Sequence, residues 1–197
     1  MNVATYILIK LFGSRIETRL VEKARAGDSM AVKKLYELSV GQLTATCMRY
    51  IPDADDAKDV LQTGFVKIFK SLGKFENRGE GSLKAWMNRI IVNESLKFLR
   101  ERKKSDTVSY MSDLPETTDV PEDDESFANI PQDEVMKMIR ALPEGYRTIF
   151  NLYVFEDRSH KEIAELLGIT ESTSASQLHR AKALLMKQIQ EFRKNGK

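Results

Sequence analysis

The sequence predicts an all-α protein of two helical domains joined by an acidic linker. Apolar positions recur at helical spacing in almost every patterned segment of the 197 residues, and no segment alternates long enough to predict a strand. Residues 105–136 contain ten acidic residues, three prolines and no Lys or Arg, whereas the residues before and after them carry net charges of +8 and +4. A stretch of this composition buries too little apolar surface to fold alone, so we interpret it as a linker.

The first domain is expected over residues 21–104, after an N-terminal extension of residues 1–20. Asp28 is placed to cap a long helix, which Pro52 ends. Asp53 is placed to cap the next helix, whose apolar residues keep the three-and-four spacing of an amphipathic helix. These signals predict consecutive helices that pack through one apolar face each.

A glycine-rich loop over residues 73–82 leads to a further helix from Leu83 to about Lys103. Trp86 lies on the apolar face of this helix, and we expect it in the core rather than in a binding surface. Gly64 lies inside the preceding helix. It should weaken that helix by about 1 kcal/mol relative to alanine, unless close packing requires it.

The second domain is expected over residues 133–193, after a linker of residues 105–132. Its end reads as a helix-turn-helix, because Ser159 and Glu162 can form a capping box and Gly168 can end the first helix in the left-handed conformation. The side chains expected to face outward from the second helix are Ser174, Ser176, Gln177 and Arg180. Any helical hairpin shows similar caps, so the rest of the chain has to support a role in DNA binding.

The composition excludes several other classes of protein. The single Cys47 cannot form an internal disulfide and lies on an apolar helical face, which predicts a buried structural thiol in a reducing, cytoplasmic setting. No apolar run reaches the roughly 20 residues of a membrane span. We find no catalytic nucleophile-base pair, no phosphate-binding glycine loop and no metal-ligand cluster, so we expect neither an enzyme nor a bound cofactor.

Residues 53–100 and 141–185 together carry a series of motifs in a characteristic order. These are an acidic DADDAKDVLQ helix, a loop ending in GSLKAW, a helix containing NESLKFLR, the linker, LPEGYRTIF and the helix-turn-helix. In this order they resemble the extracytoplasmic-function sigma factors of bacterial RNA polymerase, and we assign the chain to the sigma-24, or RpoE-like, subfamily. The resemblance leaves out the first twenty or so residues, the linker and the last few residues.

The resemblance implies a sigma factor that binds core RNA polymerase and directs it to specific promoters, without being an enzyme itself. The domain over residues 21–104 would be similar to sigma region 2, and the domain over residues 133–193 to sigma region 4. The family docks its acidic helix on the clamp coiled coil of the largest polymerase subunit. The matching residues here are Asp56, Asp59 and Gln62.

The resemblance also implies two promoter contacts for these domains. The first domain would bind the melted −10 element, with a loop that admits a flipped base, a base-edge contact at Asn93 and phosphate contacts from the helix. The residues assigned to it are Phe75, Asn77, Arg78, Lys84, Arg89, Asn93, Lys97 and Arg100. The second domain would read the −35 duplex in the major groove. The residues assigned to it are Thr173, Ser176, Gln177, His179 and Arg180.

Two other interpretations remain at this stage. The chain could be an ordinary helix-turn-helix regulator that binds duplex DNA without polymerase, which would leave the acidic helix and the loop without a role. It could instead be held mainly by an anti-sigma factor. The family commonly has basic residues where Ala175 and Gln177 stand, so the recognition helix offers fewer phosphate or guanine contacts than usual and its base preference is open.

Overall fold

A computed structural model of the chain describes residues 18–105 and 130–195. These residues form two compact units, divided between Arg102 and Lys103, and each unit is described by itself. Within the described residues all regular structure is helical, as predicted. None of the helices described is both long enough and apolar enough to cross a membrane.

Over residues 18–102, the first unit shows four helices and a short 3-10 turn. Its elements are α1, described over residues 18–25, α2 (Ser29–Tyr50), α3 (Ala54–Ser71), the 3-10 turn (Leu72–Lys74) and α4 (Ser82–Ser105), the last of which runs past the division. The predicted caps are confirmed: Asp28 accepts from the backbone N–H groups at the start of α2, and Asp53 does the same for α3. Helix α1 includes residues 18–20, which we had assigned to the N-terminal extension.

The core of this unit lies between α2, α3 and α4. Tyr50, Leu43, Ile68 and Ile91 are fully buried within it. Cys47 is also fully buried, which confirms the predicted buried thiol, and burial raises the pKa of that thiol.

The second unit contains the four helices predicted for it. They are α5 (Gln132–Ala141), α6 (Glu144–Val154), α7 (His160–Leu167) and α8 (Glu171–Asn195). Arg147 is buried in α6, where its guanidinium donates to the backbone carbonyls of Arg140 at 3.1 Å and Leu142 at 2.6 Å. These bonds satisfy carbonyl groups at the end of α5 and fix the turn between the two helices. Most of the proposed linker lies outside the described residues.

Candidate nucleic-acid and polymerase interfaces

The acidic face of α3 lies at the N-terminal end of that helix. Asp59 and Gln62 are exposed, whereas Asp56 is partly covered and forms an ion pair with Arg102 from α4, at 3.5 Å between Oδ2 and Nη1. Residues 59 and 62 are three apart and therefore neighbours on the helix surface. A basic partner helix could engage Asp59 directly, but it would have to compete with Arg102 for Asp56.

Gly64 lies on the opposite, buried side of α3. A Cβ atom at this position would overlap Cδ1 of Ile91, which is itself fully buried. The glycine therefore allows α3 to approach α4 closely, and this packing explains a residue that lowers intrinsic helix stability.

The loop between α3 and α4 begins near Phe75, which packs on Trp86 of α4. Phe75 is only 6% exposed, and its ring centroid lies 5.3 Å from that of Trp86, which is partly covered. Trp86 therefore packs on Phe75 but is only partly covered, and it does not belong to the buried core in which it was expected. Phe75 is among the residues predicted to contact the −10 element, but its ring is covered, so a base could stack on it only if the loop moved.

The tip of the loop is organised by Asn77 and Ser82. The Asn77 side-chain oxygen accepts from Gly79 N–H at 2.9 Å and from the Ser82 hydroxyl at 3.2 Å, while its amide nitrogen donates to the Thr18 hydroxyl at 2.9 Å. Gly79 has φ +108°, which a residue with a side chain rarely adopts. Arg78 is exposed and pairs with Glu76 at 3.2 Å. The tip therefore has a defined shape and presents Asn77 and Arg78 to solvent.

Four of the five predicted polar contacts on α4 share one side of that helix. Arg89, Asn93, Lys97 and Arg100 are all exposed, and at 100° per residue they fall within an arc of about 80°. Lys84 is also exposed, but nine residues before Asn93 it points to the opposite side. The structure thus brings four of the predicted residues together and leaves Lys84 apart.

Sequence reasoning missed a basic strip that covers the C-terminal end of α3 and the 3-10 turn after it. The strip consists of Lys67, Lys70 and Lys74, which line a groove between α3 and α4 together with Asn93 and Glu94. Lys67 Nζ lies 2.6 Å from Oε1 of Glu94, a carboxylate that is largely buried. The spacing of three and four residues between the lysines was visible in the sequence. Only the packing of α3 on α4 brings the strip beside Asn93.

The helix-turn-helix has the local geometry expected from its sequence. Ser159 and Glu162 form the full capping box at the start of α7, and Gly168 ends that helix with φ +68°. The Thr170 hydroxyl accepts from Thr173 N–H at 3.1 Å and so caps α8. Hydrogen bonding from Ser159 N–H and from Arg158 lowers the pKa of Glu162, which keeps the capping carboxylate ionised.

The outward face of α8 carries most of the residues predicted to read DNA. Ser176, His179 and Arg180 are exposed, while Thr173 and Gln177 are partly covered. The prediction that Ser174 faces outward is wrong. Ser174 is fully buried, because it lies four residues before the buried Leu178 on the apolar face of α8, and its hydroxyl is satisfied there by a bond to Nδ1 of His160 at 2.9 Å.

His160 links three helices of this unit. Besides its bond to Ser174 on α8, its ring stacks on Tyr153 of α6 with centroids 4.9 Å apart. Neither histidine belongs to a group of three or more metal-ligating side chains in the described ranges. His160 therefore has a packing role, and the exposed His179 is the histidine on the proposed DNA face.

Comparison with known proteins matches both units to parts of one family. The family description "Sigma-70 region 2" matches residues 35–105, and "Sigma-70, region 4" matches residues 132–185, so that together they cover more than half of the chain. The chain is 28% identical over 185 residues to the RNA polymerase sigma-H factor of Pseudomonas aeruginosa, covering 88% of this chain and 94% of that protein.

Two further comparisons concern a second relative and a solved structure. The chain is 27% identical over 185 residues to the ECF RNA polymerase sigma-E factor of Haemophilus influenzae, covering 87% of this chain and 94% of that one. A co-crystal structure of the sigma factor RpoE with the anti-sigma factor NepR from Bartonella quintana is 22% identical. It covers 80% of this chain and 96% of that chain, with a TM-score of 0.48.

Proposed function

This chain belongs to the extracytoplasmic-function class of the sigma-70 family, and we propose from that membership how its surfaces bind polymerase and promoter. It binds RNA polymerase and directs promoter-specific initiation of transcription. The polymerase supplies the chemistry, so the chain is not itself an enzyme, and we place it in the cytoplasm with that polymerase. The observation that carries the site assignments is that each matched unit exposes most of the polar residues aligned with the family motifs.

We assign polymerase docking to the acidic end of α3. Asp59 and Gln62 support this, because both are exposed and lie about one turn apart on a helix whose first turn carries negative charge. Complementary charge on a basic coiled coil would orient the complex and speed association. Asp56 contributes after exchanging its bond to Arg102 for one to the partner.

The test is comigration of the full chain with bacterial core polymerase on gel filtration. Asp59→Lys should weaken the complex at least tenfold, because a like charge then faces the basic partner. Glu37→Lys is the matched control, since Glu37 is an exposed carboxylate on α2 whose partner is the nearby Lys34. A folded wild-type chain that does not comigrate would sink the proposal and favour a regulator that binds duplex DNA alone.

We assign the melted −10 strand to the loop and to the shared face of α4. The strand would follow Arg89, Asn93, Lys97 and Arg100, and the basic strip of Lys67, Lys70 and Lys74 would hold phosphates beside Asn93. The salt dependence of binding to single-stranded DNA is the slope of log affinity against log salt concentration. Replacing Lys70 and Lys74 by Gln should reduce the size of this slope by about 1.4, since each phosphate contact contributes roughly 0.7. An unchanged slope would remove the strip from the interface.

We assign the −35 duplex to the exposed face of α8. Arg180 supplies the strongest candidate contact to a base edge, with Thr173, Ser176, Gln177 and His179 around it. Arg180→Ala should weaken holoenzyme binding by about 1–3 kcal/mol and relax base preference at one position. Loss of affinity without a change of preference would make Arg180 a phosphate contact.

We propose in addition that the chain belongs to the RpoE-like subfamily and that an anti-sigma factor regulates it. The likeness to the sigma-E factor of Haemophilus influenzae supports the first point. Promoter selection from a randomised library tests the subfamily assignment. Selection of a −35 element unlike that of the sigma-E factor would place the chain in another subfamily. A purified anti-sigma candidate should compete with core polymerase for the wild-type chain, and simultaneous binding would count against occlusion.

A further inference from the structure

We propose that Arg25, on α1, is a positioning residue for the recognition loop between α3 and α4. This inference rests on the proposed function of that loop in binding the melted promoter strand. It adds a residue that lies before the segment matched to sigma-70 region 2, which begins at residue 35.

The Arg25 guanidinium spans the two ends of the 3-10 turn. Nε donates to the backbone carbonyl of Leu72 at 3.0 Å, and Nη2 donates to the carbonyl of Phe75. The Leu72 carbonyl also accepts from Phe75 N–H at 3.1 Å, so its acceptor positions are shared between the turn and the arginine. Charge-assisted bonds of this kind fix a backbone segment more firmly than neutral ones.

The same contact orients the aromatic pair. The guanidinium carbon lies 6.0 Å from the centroid of the Phe75 ring, which packs in turn on Trp86 of α4. A second α1 side chain, Thr18, holds the far part of the loop through its bond to Asn77. Helix α1 therefore fastens the loop at both Phe75 and Asn77.

The space beneath the loop explains why its shape matters. The cavity bounded by α1 and the loop has a volume of about 40 Å³, and its lining includes Arg25, Phe75, Asn77 and Ser82. Pockets for small molecules are typically 300–1,000 Å³, so a base enters this one only if the tip opens. With Phe75 clamped by Arg25, only the tip has to move, which breaks the bond between Asn77 and Thr18 but leaves both Arg25 hydrogen bonds in place. Preorganisation of the remainder reduces the entropy lost on binding.

The test uses the full chain assembled with core polymerase and a fork-junction DNA whose single-stranded segment is first randomised and selected by the wild type. Arg25→Ala and Arg25→Lys should each bind the selected strand about tenfold more weakly and with relaxed base preference. Lysine keeps the charge but cannot span two carbonyls with a planar fork. Lys23→Ala, which removes an exposed positive charge from the same helix, should stay within twofold.

A spectroscopic readout separates positioning from general stability. Trp86 is the only tryptophan, so the emission of the isolated chain reports the Phe75 contact directly. Both Arg25 variants should raise its quenching by acrylamide while circular dichroism retains the wild-type helix content. If Arg25→Ala does not fold, Arg25→Lys gives the same comparison with the charge retained.

Three outcomes would overturn the assignment of Arg25. The first is that Arg25→Lys selects the same strand and shows the same acrylamide quenching as the wild type. The second is that Arg25→Lys and Lys23→Ala lose equal affinity for the strand. The third is that the Arg25 variants bind the strand more tightly, which would mean that the contact holds the loop shut. Failure of the wild-type holoenzyme to select any strand would instead count against the proposed function itself.

Discussion

The helix-turn-helix of the second unit and the recognition loop of the first are both fixed by side-chain hydrogen bonds, but the partners differ in sequence separation. Ser159 and Glu162 are three residues apart, as are Thr170 and Thr173. In the loop, by contrast, Arg25 reaches partners 47 and 50 residues away, and the two ends of the bond from Thr18 are 59 residues apart. Local bonds can be inferred from residue spacing, whereas distant ones depend on how the helices pack.

The largest expected effect concerns Arg147, whose hydrogen bonds hold the second unit together in addition to the helix caps. Arg147→Met removes the guanidinium that serves two carbonyls at the end of α5, one of them buried, and should lower the free energy of unfolding by about 3 kcal/mol. Hydrogen exchange of the α5 and α6 amides in the full chain measures this. Arg158→Met is the control, because Arg158 forms a surface pair with Glu162, and should cost less than about 1 kcal/mol. Equal losses would contradict the assigned role.

A double-mutant cycle tests the distant packing in the first unit. Gly64→Ala should destabilise α3 by about 1 kcal/mol, because crowding against Ile91 outweighs the gain in helix propensity. In an Ile91→Val background, which lacks the overlapping methyl group, the same change should stabilise by up to about 1 kcal/mol. Gly41→Ala in α2 meets no atom within 4 Å and should stabilise alone. The close approach would be disproved if both alanines stabilised the wild type equally.

A local change should stay local in the helix-turn-helix. Ser159→Ala removes the cap of α7 and should cost about 1 kcal/mol, measured by hydrogen exchange of the α7 amides. Ser159→Asp should recover most of that loss, because aspartate caps equally well. Equal loss of protection in α6 would contradict a local effect of this cap.

The smallest expected effect is the pH dependence of the same cap. Because the pKa of Glu162 is lowered in the folded state, its contribution is complete above the unfolded value of about 4.3 and is lost as pH falls through the folded value. The melting temperature of Glu162→Gln should therefore approach that of the wild type as pH falls below about 4. A difference in melting temperature between the two proteins that does not change with pH would contradict a contribution from the ionised Glu162 carboxylate.

Individual residues mark the limit of what spacing could predict. Ser174 lies four residues before the buried Leu178, so helical spacing alone places it on the inner face of α8, and the bond to His160 of α7 satisfies its hydroxyl there. Phe75 stands in a glycine-rich loop, where an aromatic residue suits base stacking, yet Arg25 and Trp86 cover it. The spacing of Lys67, Lys70 and Lys74 did not by itself predict a binding surface, because it is the packing of α4 that brings Asn93 beside them. For Phe75 and for the three lysines, the deciding neighbour lies on another helix, which residue spacing does not show.

The sequence by itself determined the helices, their caps, the two-unit division and the motifs that identify the sigma family, because these depend on residues within a few positions of one another. Only the tertiary structure decided why Gly64 is compatible with its helix, that Lys67, Lys70 and Lys74 lie beside Asn93 and that Arg25 holds the loop. Those features depend on the close approach of helices whose contacting residues lie far apart along the chain. Helical periodicity places a side chain on a face, and packing decides what that face meets.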